Sequence, residues 1–147
     1  MVATGTRPGK NTTRTTMTYM LLILEPTTQR QARTEPEGRA VYDSMVRFGA
    51  GLKARGLLRA TESLASHAAA ARVQTSGGKL QVLDGPFAEA KEMIGGFFLI
   101  DCNSFDEAVA IARECPAAQW ATVEVRTLAP CYDDSAVRPA QVARVAT

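Results

Sequence analysis

The chain contains 147 residues, 46% of them hydrophobic and 22% charged, and its formal net charge is +2. This length and this ordinary composition predict one globular domain with a hydrophobic core. The small net charge and the lack of a basic run argue against direct nucleic-acid binding, and the short apolar runs argue against a membrane span.

The N-terminal part of the chain is polar and is followed by an apolar strand. Residues 1–16 contain mainly Thr, Gly and Arg, which predicts a flexible tail. Two alternatives are that Met17 is the true initiator and that the tail is a weakly basic arm. Residues 19–24 form a nearly continuous apolar run, typical of a central strand covered on both faces. Glu25-Pro26 is expected to end this strand.

The first helix is predicted after a polar loop at residues 27–34. Glu35-Pro36-Glu37 suits a first helical turn, because proline is tolerated there and acidic groups favour the positive end of the helix. Four apolar residues at spacings of four, three and four then form one helical stripe. These residues are Val41, Met45, Phe48 and Leu52. Core packing is favoured for the stripe over a ligand-lining role, and Gly56 is the expected stop.

The middle of the chain predicts a short strand and a hairpin. The strand starts at Leu57-Leu58, and the Ala-rich residues 65–71 form either a loop or a short helical turn. Residues 72–75 and 79–83 alternate polar and apolar side chains around Ser76-Gly77-Gly78, which indicates a β-hairpin.

The second half repeats the strand–helix–strand pattern. Residues 93–100 predict a strand. Ser104 and Glu107 form a capping box that begins the second helix, and Cys115-Pro116 ends it. Residues 122–128 alternate again as the last strand.

The order of these elements predicts an α+β fold. Two helices of similar length between strands favour a split β-α-β plait with both helices on one face of the sheet. The other face must also be covered, and a second copy would cover it, so we predict a homodimer. The predicted domain spans residues 17–128. Residues 129–147 form a polar tail that either packs across the dimer or is disordered.

The most unusual chemistry lies between the hairpin and the first residues of the predicted strand at 93–100. Asp84-Gly85-Pro86 cannot continue a strand, because glycine tolerates positive φ and proline fixes its own φ. The Asp84 carboxylate at a strand end is a candidate general base, or it holds the turn through backbone amides. Gly95-Gly96 indicates a β-bulge or, alternatively, close approach of a ligand to the backbone.

This segment also carries a family resemblance. Residues 84–101, D-G-P-F-A-E-A-K-E-M-I-G-G-F-F-L-I-D, resemble the signature of the DGPF-domain branch of the YciI-like (YCII-related) family. Residues 17–23 resemble the first strand of that family, and residues 123–126 resemble its last. The resemblance implies a ferredoxin-like α/β plait that pairs into a dimeric α+β barrel. It brings no settled activity, although members are often associated with extracytoplasmic-function sigma factors.

His67 is the single histidine and a second catalytic candidate. In the wider YciI-like family a His–Asp pair is the proposed active site, with the histidine on the first helix. The predicted first helix of this chain, residues 36–55, has no histidine, so that residue cannot be carried over. Either His67 replaces it from the loop before the hairpin, or His67 is exposed or structurally bonded.

Further candidates come from charged residues of the same motif. Glu89, Lys91 and Glu92 match the motif position by position and are predicted to bind a polar ligand. Alternatively, Lys91 pairs with a carboxylate of the partner subunit and fixes the dimer. Arg126, on the last strand, is an additional ligand-binding candidate.

Metal and cofactor chemistry is not expected. The cysteines Cys102, Cys115 and Cys131 form no C-x-x-C pair, which disfavours a zinc site. Inert thiols and the lack of an apolar leader predict a cytoplasmic location. Serine-hydrolase, phosphate-loop and dinucleotide-binding motifs are also lacking.

The favoured hypothesis is therefore a dimeric small-molecule-binding protein or enzyme with its site around the Asp84-Gly85-Pro86-Phe87 turn. In it, Asp84 acts as a base, and His67 or Lys91 orients the substrate. One alternative is a non-enzymatic regulatory partner linked to an extracytoplasmic-function sigma factor. Another is a purely structural motif that fixes the dimer.

Overall fold

The computed structural model describes residues 16–137. Its main elements are β1 (Met17–Pro26), α1 (Glu35–Ala54), β2 (Leu58–Ser63), β3 (Ala71–Ser76), β4 (Lys79–Asp84), β5 (Glu92–Cys102), α2 (Phe105–Glu114) and β6 (Thr122–Thr127). The undecided Ala-rich stretch contains a short 3-10 turn at His67–Ala69. The predicted N-terminal tail, apart from residue 16, and the end of the C-terminal tail lie outside the described residues.

The strands form a four-stranded antiparallel sheet and a separate hairpin. The sheet order is β2-β5-β1-β6, and β3 pairs with β4. With one helix after β1 and one after β5, this is a ferredoxin-like α+β plait into which a hairpin is inserted between β2 and β5. The predicted fold class is confirmed.

One face of the sheet and both helices enclose the core. Along β1, alternate side chains are buried because successive residues of a strand point to opposite faces. The core cluster consists of Tyr19, Leu21, Ile23, Leu52, Phe98, Ile100, Cys102, Ala108, Ile111, Ala112, Cys115 and Ala117. Burying each large apolar side chain in this cluster contributes about 1.5–3 kcal/mol.

The opposite face of β1 and β5 is also apolar. It carries Met20, Leu22, Leu24, Phe97 and Leu99, which are half-buried in a single chain. The predicted central position of β1 is confirmed, because it lies between β5 and β6, whereas covering of its second face stays a prediction. The strand also continues through Glu25 to Pro26, beyond its predicted end.

Local signals set the helix ends as predicted. The Thr34 hydroxyl accepts a hydrogen bond from the Glu37 amide at the start of α1, and Gly56 ends that helix with a φ of 73°. At α2, the Ser104 hydroxyl accepts from the Glu107 amide at 3.1 Å. None of the helices within residues 16–137 is both long enough and apolar enough to cross a membrane.

Candidate functional site

The Asp84-Gly85-Pro86-Phe87 turn lies against the 3-10 turn at residues 67–69. The Gly85 amide donates to the Ala70 carbonyl at 2.7 Å. A Cβ atom on Gly85 would lie 1.8 Å from the His67 carbonyl oxygen. The φ of Gly85 is not positive. Glycine is therefore required here because two backbone segments approach closely, and not because the turn needs a left-handed residue.

His67 is bound to this turn through its side chain. Its Nδ1 atom accepts a hydrogen bond from the Phe87 amide at 3.2 Å, and its ring meets the Phe87 ring edge-on. Because Nδ1 acts as an acceptor, the neutral ring carries its proton on Nε2. The structure thus brings His67 to the motif and shows a structural bond for it. Its catalytic role stays a prediction.

Asp84 lies at the end of β4, opposite Ala71. Its side chain is exposed, and it has no hydrogen-bond partner within residues 16–137. Backbone groups and His67 hold the turn, without the Asp84 carboxylate. The proposed role of Asp84 as a base stays a prediction.

The other charged residues of the motif lie on the surface. Glu89 pairs with Arg72 at 2.9 Å, and the Arg72 guanidinium stacks 3.7 Å from the centre of the buried Phe87 ring. The side chains of Lys91 and Glu92 are exposed. Glu89 therefore braces the turn through Arg72, and ligand binding by these three residues stays a prediction.

Arg126 lies on the face of the sheet away from the helices. It is opposite Met20 in the ladder between β1 and β6, and its Nη1 atom is 3.4 Å from Glu124. The structure does not bring Arg126 together with His67 or with the turn.

A cavity of about 670 Å³ lies between α1 and strands β1, β2 and β5. This volume is typical of small-molecule sites. Its aliphatic and aromatic walls include Ile23, Val41, Met45, Val46, Leu58 and Phe98. The predicted stripe of α1 has two roles: Phe48 and Leu52 pack in the core, Val41 lines the cavity, and Met45 lines the cavity and also packs against the core.

An ion pair between a buried Glu25 and a half-buried Arg30 lines one part of this cavity. Glu25 is 2% exposed, and its Oε1 atom accepts a hydrogen bond from Arg30 Nε at 2.5 Å. Arg30 also donates to the carbonyls of Leu64, at 2.8 Å, and Gly95, at 3.3 Å. Glu25 Oε2 has no partner among the residues that the structure describes. One carboxylate oxygen is therefore held in place while the other is available to a ligand.

Gly95 and Gly96 make room for this arrangement. The register between β1 and β5 shifts at Gly95, which confirms the predicted β-bulge. A Cβ atom on Gly95 would lie 2.6 Å from Glu25 Oε1, and one on Gly96 would lie 2.8 Å from the Glu62 carbonyl oxygen. The glycine pair thus admits the Glu25 side chain and the backbone of β2.

Arg33 and Trp120 lie at the mouth of the cavity, where it adjoins a second hollow of about 540 Å³. The Arg33 guanidinium is 4.6 Å from the centre of the Trp120 ring, a cation–π contact that positions it. In the described part of the chain, no carboxylate lies within ion-pair distance of Arg33.

Sequence reasoning missed Glu25, Arg30 and Arg33. In the structure, Glu25 continues the alternate buried positions of Tyr19, Leu21 and Ile23. The sequence did not show this, because residues 19–24 are apolar at every position and do not reveal which face of the strand is buried. No local pattern marks the two arginines either, because their roles depend on tertiary contacts.

The reactivity of the three cysteine thiols tests which of these side chains are buried. Burial raises the pKa of the Cys102 thiol and of the Cys115 thiol, whereas Cys131 is exposed. Because the thiolate is the reactive form, we expect one thiol of the folded protein to react rapidly with dithionitrobenzoate and the others to react after unfolding. Cys131→Ser should remove the fast phase. A fast phase that persists in this variant would contradict the burial of Cys102 and Cys115.

No group of three or more His, Cys, Asp or Glu side chains within residues 16–137 is arranged to hold a metal ion.

Comparison with known proteins places the chain in a family. The YCII-related domain matches residues 17–131. The chain is also similar to "Uncharacterized protein R00369" of Rhizobium meliloti (strain 1021), with 36% identity over 115 residues. That match covers 77% of this chain and 93% of the relative. The chain therefore belongs to the YCII-related family.

Proposed function

We propose that this YCII-related protein is a dimeric small-molecule-binding protein whose ligand lies in the cavity between α1 and the sheet. The observation that carries the proposal is the Glu25 carboxylate, which is buried beside apolar walls and keeps one oxygen without a partner in the described chain. A buried carboxylate needs hydrogen-bond partners, and the oxygen without one supports a bound ligand as its missing partner.

The proposed site lies beside Gly95 and Gly96, and not at the turn where the motif begins. Gly95 and Gly96 line the cavity, whereas no residue of the Asp84-Gly85-Pro86-Phe87 turn does. The turn instead supports the fold at the base of the hairpin. Asp84 and His67 keep a catalytic role only as a separate hypothesis.

The chemistry that Glu25 offers is hydrogen bonding or proton transfer. Arg30 fixes one oxygen, and the other oxygen can accept a hydrogen bond from a ligand hydroxyl or amine. If the protein is an enzyme, Glu25 is the side chain in the cavity best placed to act as a general base, with Arg30 as its positioning residue.

A homodimer is part of the proposal. The apolar outer face of β1 and β5 is half-buried in one chain, and a second copy placed on it would complete its burial. The buried free thiols Cys102 and Cys115 support a reducing compartment such as the cytoplasm.

Two glycines of α1 provide a matched test. A Cβ atom on Gly38 or on Gly51 would have nothing within 4 Å, but only Gly38 lines the cavity. We expect Gly38→Phe to fill the mouth and to remove ligand binding, and Gly51→Phe to leave it unchanged. A thermal-shift screen of wild type and both variants against a metabolite library measures this, with light scattering to determine the oligomeric state.

A ligand of the cavity should raise the Tm of wild type and of Gly51→Phe by several degrees at about 100 times its Kd. A hit that stabilises Gly38→Phe equally would contradict the proposed site, and a monomer would contradict the dimer. A stable dimer with no hit would favour the regulatory alternative, a partner protein linked to an extracytoplasmic-function sigma factor. The exposed apolar residues Val73, Leu80 and Val82 of the hairpin would then be the first surface to test.

A further inference from the structure

Three charged residues of the cavity, Glu25, Arg30 and Arg33, belong to one part of the chain, whereas Lys53 lies at the end of α1 and Glu62 on β2. Glu25 lies near the end of β1, Arg30 bonds to it, and the Arg33 amide donates to the Arg30 carbonyl at 3.3 Å. From these three residues, the polar end of the cavity, the lining continues along α1 with mainly apolar side chains, from Gly38 to Lys53. At the helical rise per residue, this path is about 22 Å long. The cavity therefore suits a ligand with a polar head and an extended apolar tail.

Arg33 at the polar end favours an anionic head. The whole lining contains three basic and two acidic side chains, but the third basic residue, Lys53, lies at the far end of the α1 path and does not contribute to the polar end. Arg30 is already bound to Glu25, whereas Arg33 has no ion-pair partner in the described residues and is held in position by Trp120. A guanidinium presents several donors in a fixed plane and binds a carboxylate well.

The head also needs a hydrogen-bond donor. Glu25 Oε2 is an acceptor in a nearly buried side chain, and an apolar ligand would leave it unsatisfied at a cost. A ligand hydroxyl or amine beside its carboxylate would satisfy Glu25 while the carboxylate binds Arg33.

We infer that the cavity binds organic acids that carry a hydroxyl or amino group next to the carboxylate and an extended apolar tail. This inference rests on the proposed function, because it assigns the ligand class of the same cavity. The carboxylate binds Arg33 at the mouth, the neighbouring donor binds Glu25, and the tail lies along α1.

Three probes with the same tail separate these contributions. The first is 2-hydroxydecanoate, which has both groups; decanoate lacks the donor, and decane-1,2-diol lacks the acid. Isothermal titration calorimetry gives the affinities. Fluorescence of Trp120, the single tryptophan, reports binding at the mouth. We expect 2-hydroxydecanoate to bind about tenfold or more tightly than either other probe.

Two arginine variants test the assigned contact. Arg33→Gln should weaken binding of 2-hydroxydecanoate by about tenfold or more and leave the diol unchanged. Arg39→Gln is the control, because Arg39 lies beside the second hollow, is paired with Glu35 and does not line the cavity. Equal affinities for the acid and the diol, or an unchanged Arg33→Gln, would overturn the inference. If no probe binds while library ligands are still blocked by Gly38→Phe, the cavity function stands and the ligand class is wrong.

Discussion

Arg30→Ala is expected to destabilise the protein by about 1.5–3 kcal/mol, because it leaves the buried Glu25 carboxylate without its partner, although the Arg30 side chain itself is 32% exposed. The loss should exceed that of an ordinary surface arginine for a second reason. Arg30 also donates to the carbonyls of Leu64 and Gly95, which would lose their donors. Urea unfolding followed by circular dichroism measures the difference in free energy of unfolding.

The matched control for this variant is Arg39→Ala. Arg39 pairs with Glu35 on α1, and both side chains are 77% exposed, so the loss should be within about 0.5 kcal/mol. Adding Glu25→Gln to Arg30→Ala should recover part of the lost stability, because it removes the unpaired charge. Equal effects of Arg30→Ala and Arg39→Ala would show that the Glu25–Arg30 pair does not stabilise the fold.

Gly85→Ala should produce the second large effect, a loss of about 3 kcal/mol, at the upper end of the range for overpacking. The new Cβ atom would lie 1.8 Å from the His67 carbonyl oxygen, so one of the two backbone segments must move. Such a movement would break the hydrogen bond from the Gly85 amide to Ala70 and the one from the Phe87 amide to His67 Nδ1.

Hydrogen exchange at the Phe87 amide measures whether its hydrogen bond to His67 is lost in this variant. Its protection should fall in Gly85→Ala, together with the free energy of unfolding. Gly51→Ala is the control, since its Cβ atom would have nothing within 4 Å and an alanine there should stabilise α1 by about 0.5–1 kcal/mol. An unchanged Phe87 amide in a stable Gly85→Ala protein would rule out the close approach of the two turns.

The fold was predictable because its signals are local. The Ser104–Glu107 capping box, the stop at Gly56 and the hairpin around Gly77-Gly78 each depend on residues a few positions apart. The nearly continuous apolar run at residues 19–24 likewise indicated a central strand, and β1 lies between β5 and β6. Such patterns define the elements and their order, and the order of the elements restricts the topology.

The candidate site was harder to predict because its residues meet only in the folded chain. The apolar run at residues 19–24 did not show that Glu25 lies in the buried phase of β1, and the proline after Glu25 favoured a strand end. The partners of Arg30 lie on three strands or their ends. The sequence also did not show why residue 85 is a glycine. It suggested that the turn needs a positive φ, whereas the structure shows that the backbone of Gly85 lies close to the backbone of His67.

Arg30 connects the cavity to the chain that follows β2. Its guanidinium binds Glu25 on one side and, on the other, the carbonyl of Leu64, the residue at which the chain leaves β2. A ligand that draws Arg30 towards itself would compete with the bond to Leu64. Binding in the cavity would then loosen the loop at residues 64–70, and whatever stabilises that loop would alter the affinity of the cavity by the same factor.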